Sequence, residues 1–293
     1  MLVWGEGRIM RKDFAIFILT HGRPHNQDTL KTLRNAGYTG KVYLIVDDLD
    51  NTQEEYQKLY EDVVVFDKMR YVVSSETGIS NPHIKFALFA RNFIEDYARA
   101  IKLNFFGMVD DDLTKFRFRY VEGNKLKSLE VKNMDKLLEC YIDFMDTGNV
   151  ATTSLASQFQ FVGGISSIPE PQSQKLRMCF NFYLRFVKYR VDWISNICHD
   201  RITSITCGRE GQIWLQLPFV QYDMKELHGI NEGGNSDVYR EISDFYRIFF
   251  SVLFLPDCNY AMFWKRNNGW VNKIPDYNTL CPMIISDKYK HSL

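Results

Sequence analysis

Continuous apolar runs alternate with helix-spaced apolar positions through the first 110 residues. Phe14–Leu19 is an unbroken apolar run of strand length that opens into the polar loop Thr20-His21-Gly22-Arg23-Pro24. A helix fits 26–36, with Asn26 as cap, Leu30 and Leu33 on one face, and Gly37 as terminator. Residues 42–46 form a second apolar run and end in Asp47-Asp48. A short helix over 53–60 leads to a third strand, Val63–Phe66. Strand, helix, strand, helix, strand at this spacing predicts a parallel sheet with crossover helices. Asn81-Pro82 reads as a helix start. Ile84, Leu88, Arg91, Ile94, Ala98 and Ile101 then recur at helical spacing and deliver the chain to a fourth strand that ends in Asp110-Asp111-Asp112.

Beyond the acidic triplet the pattern is less regular. Residues 117–122 read as a strand, with a turn at Gly123-Asn124. Val131, Met134, Leu138, Tyr141 and Met145 form an amphipathic helix face. Residues 150–157 and 158–162 read as extended, Gly163-Gly164 as a turn, and 178–191 as strand. A short helix is predicted over 201–206, a strand over 213–222, and a helix over 237–255 stopped by Pro256. Repeats, low-complexity tracts and linkers are absent from the sequence, so one domain is expected.

Packing does not need three carboxylates at a strand end. Asp110 and Asp112, two residues apart, can aim at one point, and hard divalent cations take such oxygen ligands together with substrate phosphates. Ligands of open α/β sheets gather beyond the carboxyl ends of strands. Thr20, Asp47 and Asp110 all fall at such ends. A metal-bridged phosphate site, and with it a nucleotide-type donor, is expected. The bland alternative is a solvated turn of helix-capping acids.

Composition narrows the classes. The 293 residues carry 22 Phe and 16 Tyr, enough for a sizeable core and ring-lined pockets. Net charge is zero, so no global field draws the chain to nucleic acid or anionic membrane. No apolar run approaches the ~20 residues of a membrane span. The six cysteines include no Cys-x-x-Cys pair, and their spacing suits neither a zinc site nor a disulfide framework. Residues 1–12 lack a signal-peptide core, which suggests a cytoplasmic protein with reduced thiols; Met10 could be the natural start, with residues 1–9 a leader. Lys175, Arg177, Arg185, Lys188 and Arg190 interleave with Phe180, Phe182, Tyr183, Phe186 and Tyr189. That mixture suits a nucleic-acid acceptor, or a sheet with one aromatic core face and one solvated face.

The first strand with its Thr20-His21-Gly22-Arg23-Pro24 loop, the Val46-Asp47-Asp48 end, the helix bearing Ala90-Arg91-Asn92, and the Asp110-Asp111-Asp112 terminus together resemble a GT-A-fold glycosyltransferase of the Asp-x-Asp type. The chain is also similar to bacteriophage and bacterial glycosyltransferases linked to DNA base modification. The resemblance implies an α/β fold: a Rossmann-like, mixed, mostly parallel sheet flanked by helices, with a nucleotide-sugar half over 10–115 and an acceptor half over 116–293. It implies that Thr20 lines the nucleotide pocket and that Arg23 lies near the phosphates. Asp47 or Asp48 would bind base or ribose, and Arg91 would approach the donor, with Asn92 lining its pocket. Asp110 would bind ribose or a metal water, Asp111 would join the donor site, and Asp112 would hold Mn²⁺ or Mg²⁺ against the diphosphate. The family often has an acid before a short acceptor-side helix and a late histidine ligand. Asp200 is thus the expected base or acceptor-orienting group, and His228 the expected third metal ligand. The Gly-rich loop over 231–237 would fold over the donor.

These implications favour a metal-dependent glycosyltransferase using a nucleoside-diphosphate sugar, a UDP-sugar first. The acceptor would be a glycan or a hydroxymethylated DNA base. A nucleotidyltransferase is the rival enzyme, but the loop after the first strand has one glycine and no lysine. A non-catalytic nucleotide- or glycan-binding module is the third reading, and intact Asp110 and Asp112 weigh against it.

Overall fold

The computed structural model describes residues 10–74, 87–169, 176, 179–195, 197–225 and 252–256, together with the backbone of two late strands. Its centre is a nine-stranded sheet in the order β3-β2-β1-β4-β8-β7-β9-β5-β6. The strands are β1 (Phe14–Leu19), β2 (Lys41–Asp47), β3 (Val63–Phe66), β4 (Phe105–Asp110), β5 (Leu113–Glu122), β6 (Lys125–Glu130), β7 (Thr152–Ser157), β8 (Phe182–Phe186) and β9 (Trp214–Met224). The first four run parallel to one another, as the strand-helix alternation predicts. β8 pairs antiparallel with both β4 and β7, β9 joins β7 in parallel, and β5 and β6 close the edge as an antiparallel hairpin. The sheet is therefore mixed, with its parallel half at the N-terminal side. β10 (Met262–Arg266) and β11 (Gly269–Lys273) form a separate antiparallel hairpin.

Helices cover both faces: α1 (Asp28–Asn35), α2 (Gln53–Leu59), α3 (Lys68–Ser74), α4 (Ala87–Ala100), α5 (Met134–Gly148) and α6 (His199–Arg209). All six residues of β1 are buried, the signature of a strand covered on both sides. Ile16 and Ile18 enter one core with Leu33, Tyr56 and the α5 residues Leu138 and Met145. Ala15, Phe17 and Leu19 enter the other, with Leu88, Ile94 and Ala98 of α4. Period-two alternation thus divides one strand between two cores. At the centre of β4, a Cβ on Gly107 would sit 3.0 Å from Ile16 Cγ1, so glycine lets β1 and β4 close up beneath the site.

Several expected elements change length. The predicted helix over 26–36 begins at Asp28, because Asn26 is used in a turn back to the Arg23 carbonyl. Residues 158–162 are not extended. Gln158–Phe161 is a 3₁₀ turn closed by a reciprocal box, in which Ser157 accepts from Phe159 N and Gln160 Oε1 accepts from Ser157 N at 3.1 Å. The strand expected over 178–191 shortens to β8, since Asn181 has φ +53° before it and Tyr189 N turns back to Phe186 O after it. Arg185 on that strand is fully buried and ion-paired with Glu95, so it belongs to the core and not to a nucleic-acid surface. The predicted helix over 201–206 starts two residues earlier, at His199, which puts Asp200 inside its first turn. Of the helix predicted over 237–255, only 252–255 fall among the described residues; 252–254 are helical and Leu255 is not. The Asn81-Pro82 start lies outside them.

Candidate active site

β4 ends at Asp110 and β5 begins at Leu113, so the acidic triplet is the tight turn between a parallel and an antiparallel strand. Thr29, in the first turn of α1, pins that turn. Its Oγ1 donates to Asp110 O at 2.6 Å and accepts from Leu113 N at 2.9 Å, while its own N–H bonds Asp111 O at 3.1 Å. The register between β1 and β4 sets Leu19 opposite Asp110, so Thr20 follows immediately beside the triplet.

The three acids have different surroundings. Asp111 turns inward and is 2% exposed. Its Oδ2 accepts from Thr20 Oγ1 at 2.7 Å and its Oδ1 meets Arg23 Nη2 at 3.0 Å. Thr20 in turn contacts Tyr56 OH at 2.7 Å and accepts from Gln27 Nε2 at 2.8 Å, and Arg23 N–H bonds the same tyrosine oxygen at 2.9 Å. Asp111, expected at the donor, spends both carboxylate oxygens bracing the loop after β1. Asp110 keeps 30% of its side chain exposed, and Asp112 is partly buried. Asp112 Oδ1 is buried with no hydrogen-bond partner among the described residues.

Burial pushes Asp110 up to about 7, with the Arg91 charge opposing the rise and Asp112 and Asp200 adding to it. Burial likewise raises Asp112 to about 6, with the Asp111 charge adding to it, and Asp111 to about 6 against the pull of Arg23. Neighbouring acids that resist ionisation, one with an orphaned oxygen, are suited to a divalent cation. Among the described residues, no three acid, His or Cys side chains form a complete metal cage. Asp110 and Asp112 would be partial ligands, the arrangement Mg²⁺ accepts when substrate phosphates and waters complete the shell. His228 and the Gly-rich loop lie outside the described residues.

At the tip of β2, Asp47 Oδ2 meets His21 Nδ1 at 2.7 Å and Asp47 Oδ1 meets Lys68 Nζ at 3.3 Å. Burial favours the neutral acid there, but the His21 bond and the Lys68 charge outweigh it and hold Asp47 below its ordinary value. Asp48 is exposed, and its Oδ1 accepts from Lys68 N at 2.9 Å, at the start of α3. Asp50 accepts from Gly22 N at 2.7 Å and Thr52 N at 2.8 Å, tying the post-β1 loop to α2.

The α4 side is a buried charge network. Arg91 lies between the Tyr183 and Trp193 rings, 5.0 and 4.9 Å from their centroids. Its Nη1 bonds Asp200 Oδ1 and its Nη2 is 3.8 Å from Asp110 Oδ1. Asp200 is depressed to about 2: burial opposes this, and the charges of His199 and Arg91 with the Tyr183 and Arg91 bonds override it. Asn92 is a scaffold residue, exchanging bonds of 2.9 and 2.8 Å with the Trp193 backbone. Glu95, four residues on from Arg91 along α4, is engaged by Arg185 at 2.8 Å.

The fold therefore gathers Thr20, Arg23, Asp110, Asp111, Asp112, Arg91 and Asp200, with Asp47 at the adjacent strand tip. His21, Gln27, Tyr56 and Lys68 had no expected site role of their own, and Tyr183 was expected only as one of the rings interleaved with the cations of 175–190. Only His21 carried a local signal, its place between Thr20 and Gly22 in the loop.

The family profile described as TET-associated glycosyltransferase matches residues 14–233. No curated protein matches the chain. Solved structures similar to it include S. aureus TarS 1-349, at 12% identity over 71% of this chain and 59% of that one, with a TM-score of 0.40. The mannosyltransferase PcManGT from Pyrobaculum calidifontis, in complex with GDP-Man and Mn²⁺, is 10% identical over 78% and 59% of the two chains, with a TM-score of 0.44. GalNAc-T7 with UDP, GalNAc and Mn²⁺ is 12% identical over 83% and 48%, with a TM-score of 0.46. The chain thus spans about three fifths or less of the length of these three proteins. The profile covers both the parallel half of the sheet and the strands that complete it, including every described residue of the site above. This chain belongs to the TET-associated glycosyltransferase family.

Proposed function

We propose that the chain transfers a sugar from a nucleoside-diphosphate sugar to an acceptor hydroxyl, with Mn²⁺ or Mg²⁺ held by Asp110 and Asp112. The observation that carries this reading is the buried, unpartnered Oδ1 of Asp112 close to Asp110, both acids pushed up by burial, at and just beyond the end of β4. When bound, the cation supplies neutralisation of charge developing on the leaving diphosphate. Arg23, 32% exposed beside the acidic triplet and steadied by Asp111, is the chain's own cation for that phosphate. The His21–Asp47 pair faces base or ribose. Asp200 orients the acceptor hydroxyl. The hydroxyl oxygen bonds to the anomeric carbon, the bond from that carbon to the diphosphate oxygen breaks, and the hydroxyl proton passes to Asp200. A carboxylate depressed to about 2 is a weak base, so the proton moves late, once the new bond has made the hydroxyl acidic.

A UDP-sugar is the proposed donor and a hydroxymethylated DNA base the proposed acceptor, the latter supported by the family's TET association. The test is incubation with UDP-, GDP- and CDP-sugars and Mn²⁺, with and without DNA containing hydroxymethylcytosine, following free nucleoside diphosphate. Mn²⁺-dependent release that rises with the DNA supports the reading. Diphosphate release from a nucleoside triphosphate and a sugar phosphate would replace it with nucleotidyl transfer. Binding without release would leave a non-catalytic module.

A further inference from the structure

We propose that Tyr183 is a positioning residue that acts with Arg91 to fix Asp200 toward the acceptor. The inference rests on the transferase reading and deepens it. Tyr183 sits on β8 and is fully buried, in edge contact with Trp193 and Trp214. A phenylalanine would fill that volume equally well, so the hydroxyl needs its own explanation. It bonds Asp200 Oδ1, on α6. Cys179 O lies 3.2 Å away as another acceptor. One hydroxyl hydrogen serves one acceptor at a time, and the anion is the stronger.

Arg91 donates to the same oxygen from α4, 2% exposed and held between two rings that stop it swinging away. His199 Nε2 lies 3.3 Å from that oxygen as well. Groups from three elements therefore converge on Oδ1, and none of these contacts falls on Oδ2. The Asp200 side chain nevertheless keeps 21% of its surface exposed. A carboxylate gripped through one oxygen has its plane fixed and presents the other. Because Arg91 also reaches toward Asp110, the grip ties the acceptor-side acid to the donor-side acid. Tyr183 thus acts through Asp200, without contact to the sugar.

The test compares Tyr183→Phe, Asp200→Asn and the double variant in Mn²⁺-dependent hydrolysis of whichever UDP-, GDP- or CDP-sugar the unaltered protein turns over. Tyr183→Phe keeps the ring and should lower kcat by about tenfold, the scale of one charge-assisted bond. The donor KM and the thermal shift produced by UDP with Mn²⁺ should stay at the unaltered values. Asp200→Asn should lower kcat further, and adding Tyr183→Phe to it should cost little more, since both act through one carboxylate. An unchanged kcat in Tyr183→Phe, a loss matched by falling melting temperature, or full additivity in the double variant would each overturn the inference while leaving the transferase reading intact. Absence of hydrolysis of every donor by the unaltered protein, with or without acceptor DNA, would overturn the reading itself.

Discussion

Thr20 and Asp111, 91 residues apart in sequence, are joined by a 2.7 Å hydrogen bond that locks the tip of β1 to the centre of the acidic triplet. The bond separates the acids by task. The central one is held by the loop after β1, and the two flanking it are the proposed metal ligands. Its direction is also set: Gln27 Nε2 donates to Thr20, and Thr20 donates to the carboxylate. Such polarised chains strengthen each member.

Asp111→Ala should therefore destabilise the protein by about 2 kcal/mol, because it strands the Thr20 hydroxyl and loosens Arg23. Asp112→Ala removes a partly buried acid whose Oδ1 is buried and unpartnered, so it should leave stability unchanged or raise it. Urea denaturation of the two variants checks the contrast, and equal losses would argue against the separation.

Cation affinity should depend on pH in a defined window. Asp110 and Asp112 are raised by burial to about 7 and about 6, above the ordinary carboxylate value. Folded-state protonation therefore stabilises the cation-free protein as pH falls from 7 toward 4. A cation must displace those protons, so Mn²⁺ should bind progressively more weakly from pH 7.5 to 5.5, with proton release. Titration calorimetry in two buffers of different ionisation heat measures both. Asp200 has the opposite sign: depressed to about 2, its contribution to stability is present above the ordinary carboxylate value and is lost as pH falls through 2.

Glu95→Ala should be among the most damaging substitutions away from the site. It leaves Arg185, fully buried, without its 2.8 Å carboxylate partner, a loss of about 3–5 kcal/mol for a buried pair. The melting temperature should fall sharply, and an unchanged value would mean that Ala151 O, Thr152 and Tyr189 O suffice to hold the guanidinium.

The parallel half of the sheet was legible because its strands are buried on both faces and its connecting helices carry strong periodicity. Phe14–Leu19, buried throughout, was read to the residue for that reason, and the half-buried edge strand Val63–Phe66 was read to the residue from its short unbroken apolar run. Asp110 and Asp112 stood out through their spacing at a strand end. The role of Asp111 was not legible, because at alternating positions of an extended chain the middle side chain faces the other way, and only the fold supplies Thr20 and Arg23 to receive it. The grip of Tyr56, Lys68 and Tyr183 on site residues spans 17 to 36 residues of sequence, with no local pattern to announce it. Arg185 was misjudged as one of a basic stripe, since its neutralising partner is 90 residues distant.

The most direct measurement is thermal stabilisation by UDP, GDP and CDP, each with and without Mn²⁺, for the unaltered protein and for Asp112→Ala. Ligand that binds the native state raises the melting temperature, by more the tighter it binds at a given concentration. The nucleotide shift should grow with Mn²⁺ in the unaltered protein and lose only its Mn²⁺-dependent part in Asp112→Ala. A shift of the same size and the same Mn²⁺ dependence in both proteins would contradict the proposed role of Asp112.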